Sequence, residues 1–282
     1  MILEGDDEIG FLLSRPVEGW CWLSSSFLSQ HYSEWYGAVR PTDGKTAAVR
    51  VIVVNGVHGG GKSLVREMKR LSKLDCPGLS RPVDYGIDDY GAMLTRAWYA
   101  LECELPMRTL EDHAHAGVGP QEALALLESL GQSITKAHSV GLVLRPEPAA
   151  IVMVTGRPTI MLNSAEILLH SGISLLRDST PGPRAFPAEE TRYQFTPAGD
   201  QFRLGVIAYF LMAGRWPFEG EGYMSVLGDQ GKGPPPDPRE FAPHLPWAAL
   251  LVLQRALAKD PGQRFPSVDA MVVALRLAMA GL

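Results

Sequence analysis

Asp200-Gln-Phe-Arg-Leu-Gly-Val-Ile-Ala-Tyr-Phe-Leu-Met-Ala-Gly214 is the stretch on which the fold turns. From Phe202 to Met212 it is apolar almost all round, with Asp200 placed to cap its start and Gly214 to close it. A helix with no polar face is buried on every side, so the rest of the chain must supply a shell around it. The chain has 282 residues, 46% of them hydrophobic and 20% charged. That length corresponds to roughly two domains or lobes and suffices for a sizeable core.

Working outward toward the C-terminus, the Pro/Gly-rich stretch 231–246 reads as a loop, and Trp247 to Lys259 and Val268 to Met279 read as helices. Toward the N-terminus, residues 163–199 hold Gly, Pro and Ser and read as a long irregular segment. A strand pair, Ile151 to Val154 and Thr159 to Leu162, flanks the turn Thr155-Gly-Arg-Pro158. Leu124, Leu127, Leu130 and Ile134 share one face of a helix that Pro120 can start and Gly141 can end. The first hundred residues are strand-rich: Trp35 to Val39 and Ala47 to Val54 lie around the turn Pro41-Thr-Asp-Gly44, with further strands at Arg81 to Tyr85 and Ala92 to Leu101. Between them Leu64, Met68 and Leu71 set a helix that runs from Ser63 and stops before Pro77-Gly78. The expected architecture is α+β: a small β-rich lobe with one main helix over residues 1–103, then a larger helical lobe over 104–282, together one domain.

Composition removes several function classes. Twenty-six basic against 31 acidic residues leave a net charge of −5, which argues against broad electrostatic capture of nucleic acid or an anionic membrane. The acidic start lacks the basic flank of a signal peptide, and no apolar run approaches the roughly 18 residues needed to span a bilayer; Arg276 breaks the nearest one. Cys21, Cys76 and Cys103 form no C-x-x-C, so neither a disulfide framework nor a metal site is suggested. His113 and His115 alternate on a polar stretch and read as a solvated surface; His138 reads as a structural, hydrogen-bonded histidine. A cytoplasmic protein, or the cytoplasmic part of a longer membrane protein, is expected.

In their order and spacing, several segments resemble the eukaryotic-like Ser/Thr protein kinase domain, of a bacterial rather than eukaryotic kind. Asp200 to Phe218 resembles the buried central helix of the family's large lobe and its exit. Leu257-Ala-Lys-Asp-Pro-Gly-Gln-Arg264 is similar to its late L-x-x-D-P-x-x-R segment. Phe186-Pro-Ala-Glu189 sits where the family has A-P-E, which implies an ion pair of Glu189 with Arg264. Ala137-His-Ser-Val-Gly-Leu-Val143 resembles the lead into the catalytic loop, Gly44-Lys-Thr-Ala-Ala-Val49-Arg50-Val51 the strand that carries V-A-I-K, and Glu67 the helix Glu that pairs with that strand's Lys. The resemblance implies a two-lobed kinase-like fold.

The resemblance also shows what the chemistry lacks. Phosphoryl transfer is mostly positioning and electrostatics, so each part must be in place. The stretch matching the glycine-rich loop, residues 24–34, contains no glycine. Arg50 stands for the strand Lys, and the two are not interchangeable at a tight phosphate contact, although Arg50 could pair with Glu67. Where the family reads H-R-D-x-K-P-x-N, this chain reads Leu144-Arg-Pro-Glu-Pro-Ala-Ala150, one residue shorter and without the catalytic Asp or the metal-binding Asn. Glu147 is the only carboxylate there and the one candidate for a displaced base. The D-F-G position reads Asn163-Ser-Ala165, and a neutral amide is a weaker Mg²⁺ ligand than a carboxylate. Random decay would damage packing and catalytic signals alike. Arg50, Glu67 and Asn163 therefore outline a vestigial nucleotide cleft. The expected function is that of a pseudokinase, a regulatory or scaffolding module that holds a protein partner, with an active kinase or a membrane-associated complex the kinds in view and no cofactor required.

Two alternatives belong to other classes. One is an atypical Ser/Thr kinase that still binds ATP and Mg²⁺. The other rests on Gly56-Val-His-Gly-Gly-Gly61-Lys62-Ser63, which fits the phosphate-binding loop G-x-x-x-x-G-K-[ST] between a strand and a helix, as in a nucleotide hydrolase. No second apolar strand ending in Asp supports that reading. Lastly, Lys62, Arg66, Lys69, Arg70 and Lys73 make the outer face of the 62–73 helix basic, a surface suited to an acidic partner.

Overall fold

The computed structural model describes residues 6–23, 28–30, 33–55, 60–90, 94–103, 105, 108–144, 146, 151–154, 156–160, 196–220, 229 and 232–280. The chain divides into two units, one from the described residues of Met1–Asp75 and Ser80–Met107, the other from those of Cys76–Leu79, Arg108–Ile160 and Pro181–Leu282.

The first unit is built on an antiparallel sheet. Strands β1 (Cys21–Trp22), β2 (Leu28–Gln30), β3 (Ser33–Val39), β4 (Thr46–Asn55), β5 (Pro82–Tyr90) and β6 (Leu94–Glu102) pair in the order β1-β3-β4-β6-β5, with β2 also on β3. The turn between β3 and β4 forms as its sequence predicts: Gly44 takes φ 71°, and the Arg40 guanidinium grips Asp43 at 2.7 Å. Alternation on β4 gives the sheet two buried faces. Val49, Val51 and Val53 join Tyr36, Trp98 and Ala100 on one face, while Ala48, Arg50 and Ile52 point to the other. Helix α2 (Gly60–Leu71) covers the second face with Leu64, Met68 and Leu71, each 2% exposed or less. Burying each of these is worth about 1.5–3 kcal/mol.

The first face is covered by an element the sequence pattern did not suggest, helix α1 (Asp6–Ser14). It inserts Leu12 and Leu13, and the chain after it adds Val17 and Trp20. Its C-terminal end is held by Arg96 of β6, whose buried guanidinium donates to Leu12 O (3.0 Å), Arg15 O (2.9 Å) and Pro16 O (3.2 Å) and pairs with Asp88 (2.6 Å). Free carbonyls at a helix end need donors, and a cation there also complements the helix dipole. Trp20 Nε1 donates to Asp84 at 3.0 Å, and Trp22 Nε1 to Ser14 O at 2.9 Å.

The second unit is helical around α5 (Pro197–Ala213), on which every residue from Gly199 to Ala213 is buried. Against it pack α4 (Pro120–Ser139), α6 (Trp247–Ala256) and α7 (Val268–Met279); α3 (Leu110–His115) and the hairpin β7 (Ile151–Val154) with β8 (Arg157–Ile160) complete the unit. Helix α5 is longer than its apolar run predicts: Thr196 caps it, accepting from Gly199 N at 3.1 Å, and Pro197 is its first residue. Gly214 ends it at φ 69°. Cys76–Leu79 belongs to this unit because Ile160 N donates to Gly78 O (2.8 Å) and Gly78, at φ 75°, lies against Ser133 of α4.

Candidate functional site

Arg50 lies in the middle of β4, directly across from Trp35 on β3 and Tyr99 on β6. It is 1% exposed, its guanidinium carbon stands 5.5 Å from the Trp35 ring centre, and Trp35 meets Tyr99 edge to face at 5.6 Å. A desolvated cation over an aromatic face is stabilised by about 2 kcal/mol. The position therefore presents a planar cation held against an aromatic ring, in place of the slimmer ammonium of a Lys. Glu67 does not meet Arg50. Its carboxylate pairs with Arg70 on the next turn of α2, Nε to Oε1 at 3.0 Å, because residues three apart on a helix are immediate neighbours. The expected pair of Arg50 with Glu67 is therefore replaced by one within the helix.

In the second unit the buried chemistry gathers on Asp200. Since Thr196 caps the helix, Asp200 is not the cap. It lies on the first turns of α5 at 0% exposure, where its Oδ2 accepts from the backbone N–H of Leu144 at 2.8 Å and sits 2.8 Å from His138 Nε2. A buried carboxylate must be paired or hydrogen-bonded to be tolerable, and both partners come from the segment 138–144 that leads into the loop. Two residues beyond the anchored Leu144 comes Pro146, also buried, which has neither a titratable group nor a backbone N–H. Glu147, Asn163 and Glu189 lie outside the described residues.

Arg264 is a clamp on backbone. It is 3% exposed and donates to Ala258 O (2.8 Å), Ala198 O (2.8 Å) and Lys259 O (3.0 Å), with its guanidinium 4.9 Å from the Phe202 ring centre. Gln201 works beside it, donating to Phe265 O and accepting from Phe265 N, both at 2.9 Å. These bonds fasten segment 257–265 to the start of α5. A signal for the Gln201 contact was available, since an amide on a helix apolar all round needs partners of its own.

No family model matches the chain. PknA of Mycobacterium tuberculosis, a Ser/Thr protein kinase, is 26% identical over 227 residues, a match that takes in 76% of this chain and 50% of PknA. PrkC of Bacillus subtilis, also a Ser/Thr protein kinase, is 24% identical over 219 residues, 76% of this chain and 33% of PrkC. The chain thus spans half or less of the length of these relatives. Among solved structures, the kinase domain of M. tuberculosis PknI superposes with a TM-score of 0.68 at 21% identity, covering 96% of this chain and 99% of that domain. This is a protein-kinase-like domain. Rad53 in complex with AMP-PNP shares the fold too, with a TM-score of 0.70 at 19% identity over 92% of this chain and 66% of that one.

Within a kinase-like domain the phosphate-loop motif has a plainer account. A nucleotide hydrolase of that class is built on a parallel sheet, whereas β4, the strand before the motif, pairs antiparallel with both β3 and β6. That corrects the hydrolase alternative. Gly56 lies outside the described residues, as does the side chain of Ser63, and Lys62 is exposed. Gly61 is a packing residue: a Cβ there would lie 2.7 Å from Thr95 Cγ2 and 3.0 Å from Ile87 Cγ2, so its smallness lets α2 approach the sheet. His113 meets Glu122 at 2.8 Å and His115 stands edge-on to Phe210, and no group of three or more potential metal ligands occurs among the described residues. Among those residues no helix is long and apolar enough to cross a membrane.

Proposed function

We propose that this kinase-like domain is a pseudokinase, acting in the cytoplasm or on its side of a membrane protein by holding or regulating a protein partner. One observation carries the reading. Asp200 fixes the backbone at Leu144 with a buried carboxylate, and two residues on, where the resemblance puts the catalytic acid, the chain has Pro146. The anchor of the loop is present and the group it would position is not. Burial of Arg50 against Trp35 supports the same conclusion, because its charge is already engaged by an aromatic wall.

The test is thermal unfolding with and without millimolar ATP and Mg²⁺, joined to a phosphoryl-transfer assay. A ligand at 100 times its Kd would stabilise the fold by about 2.7 kcal/mol. No shift and no transfer are expected. Transfer that disappears in Arg50→Ala or Glu147→Ala would overturn the proposal. The second reading, an atypical Ser/Thr kinase that binds ATP, draws on the names of the relatives; it requires a nucleotide shift abolished by Arg50→Ala and untouched by Lys62→Ala.

A further inference from the structure

Helix α2 carries one acid, Glu67, and Arg70 takes it up. Lys62, Arg66 and Lys69 on the helix, and Lys73 in the turn that follows, are all exposed, and none has an ion-pair partner among the described residues. Their spacings of four, three and four residues put them in one row about 16 Å long.

This row stands against local stability. Cations three and four apart on a helix repel one another. Lys62 lies in the first turn, where the helix dipole disfavours positive charge and where no acid compensates. The opposite face of α2 already meets the packing needs of the unit through Leu64, Met68 and Leu71. Four exposed cations in a row, without an ion-pair partner among the described residues, stand out in a chain of net charge −5.

We infer that this row docks an acidic amphipathic helix of a protein partner. A helix bearing carboxylates at i, i+4, i+7 and i+11 reproduces the spacing of the cations, so each charge meets its opposite along the whole contact. The row is one helix wide, and the negative net charge opposes the extended charge of a nucleic acid or an anionic bilayer. The inference gives a chemistry to the partner in the proposed function, but binding here involves no nucleotide. Phosphoryl transfer by the protein would overturn the pseudokinase reading and leave this surface standing; absence of peptide binding would do the reverse.

The experiment measures fluorescence anisotropy of a labelled helical peptide with four Glu at those spacings, against a peptide of the same composition with the Glu spread round the helix. The first should bind about tenfold or more tightly than the second, and added salt should weaken it. Replacing Lys62, Arg66, Lys69 and Lys73 by Gln should abolish binding and leave the melting temperature unchanged or raised, since like charges have been removed. The same change at Lys45, Arg108, Lys136 and Arg157, four exposed cations elsewhere, should alter binding by no more than about twofold. Should the fourfold variant fold poorly, the pair Arg66→Gln and Lys69→Gln gives the same comparison. Equal binding of the two peptides, or equal loss in the control variant, overturns the inference. So does tighter uptake of duplex DNA or phosphatidylserine vesicles than of the matched peptide.

Discussion

Gly78→Ala should destabilise the second unit in two separable parts. The residue sits at φ 75°, where a side chain costs about 1–2 kcal/mol. Its added Cβ would fall 2.0 Å from Ser133 Oγ and 3.0 Å from Ser133 Cβ, an overpacking worth about 1–3 kcal/mol. The backbone has little room to rotate away, because Ile160 N donates to Gly78 O at 2.8 Å. The sum is about 2–5 kcal/mol. Ser133→Ala removes the nearest atom and gives up only the hydroxyl's bond to Ser129 O, one turn back on the same helix, so alone it should cost about 1 kcal/mol or less. The double variant should then recover about 1–2 kcal/mol of the clash and retain the backbone part. Urea denaturation of the four proteins reads the cycle directly. A Gly78→Ala protein within about 0.5 kcal/mol of the parent, or a double variant as unstable as the two single changes added, would refute the reasoning.

Arg96→Met strips three carbonyls at the end of α1 and the Asp88 carboxylate of their donor, and should cost about 3–5 kcal/mol at most, with α1 amides losing hydrogen-exchange protection first; unchanged protection would contradict it. Asp200→Ala leaves the Leu144 N–H buried without its acceptor and should cost about 2–4 kcal/mol in denaturant, whereas Asp200→Asn, which still offers an oxygen, should cost less; equal losses would count against the anchor. Gly61→Val should lower stability by about 1–3 kcal/mol through its contacts with Thr95 and Ile87, while Lys62→Ala should be neutral; the opposite order would favour a phosphate role for the motif. The Asp112 carboxyl is held below its ordinary value, chiefly by the Thr109 hydroxyl. Its contribution is thus present above about pH 4 and is lost as pH falls through the lowered value, so Asp112→Asn should flatten the acid limb of a stability–pH curve, and an unchanged limb would exclude it.

The sequence pattern located the elements that pack by period. The apolar run at Phe202–Met212 became α5, Leu64, Met68 and Leu71 became the inner face of α2, and alternation around Val49 to Val53 became β4. What it could not provide were the contacts that depend on three-dimensional neighbours. Helix α1 was missed because Asp6 to Ser14 has neither a strong period nor a recognisable cap, and its stability comes from the sheet and from Arg96, eighty and more residues away in sequence. Asp200 looked like a cap because it precedes an apolar run, yet Thr196-Pro197 supplies a better start and releases the carboxylate for Leu144. Pairing of Glu67 was decided by the nearer cation on its own helix. The proposed loss of the catalytic Asp rests on residue identity alone, since the resemblance puts Pro146 at that position and proline can do none of its chemistry.

The seat of α1 bears on solubility. Beneath it lie Tyr36, Val49, Val51, Val53 and Trp98, a β-branched and aromatic patch on a twisted antiparallel sheet. Trimming the protein back to β3 would open this patch to water and uncover a surface of the kind that associates with copies of itself. Leu12, Leu13, Val17 and Trp20 thus act as a cover over a surface that would otherwise be adhesive.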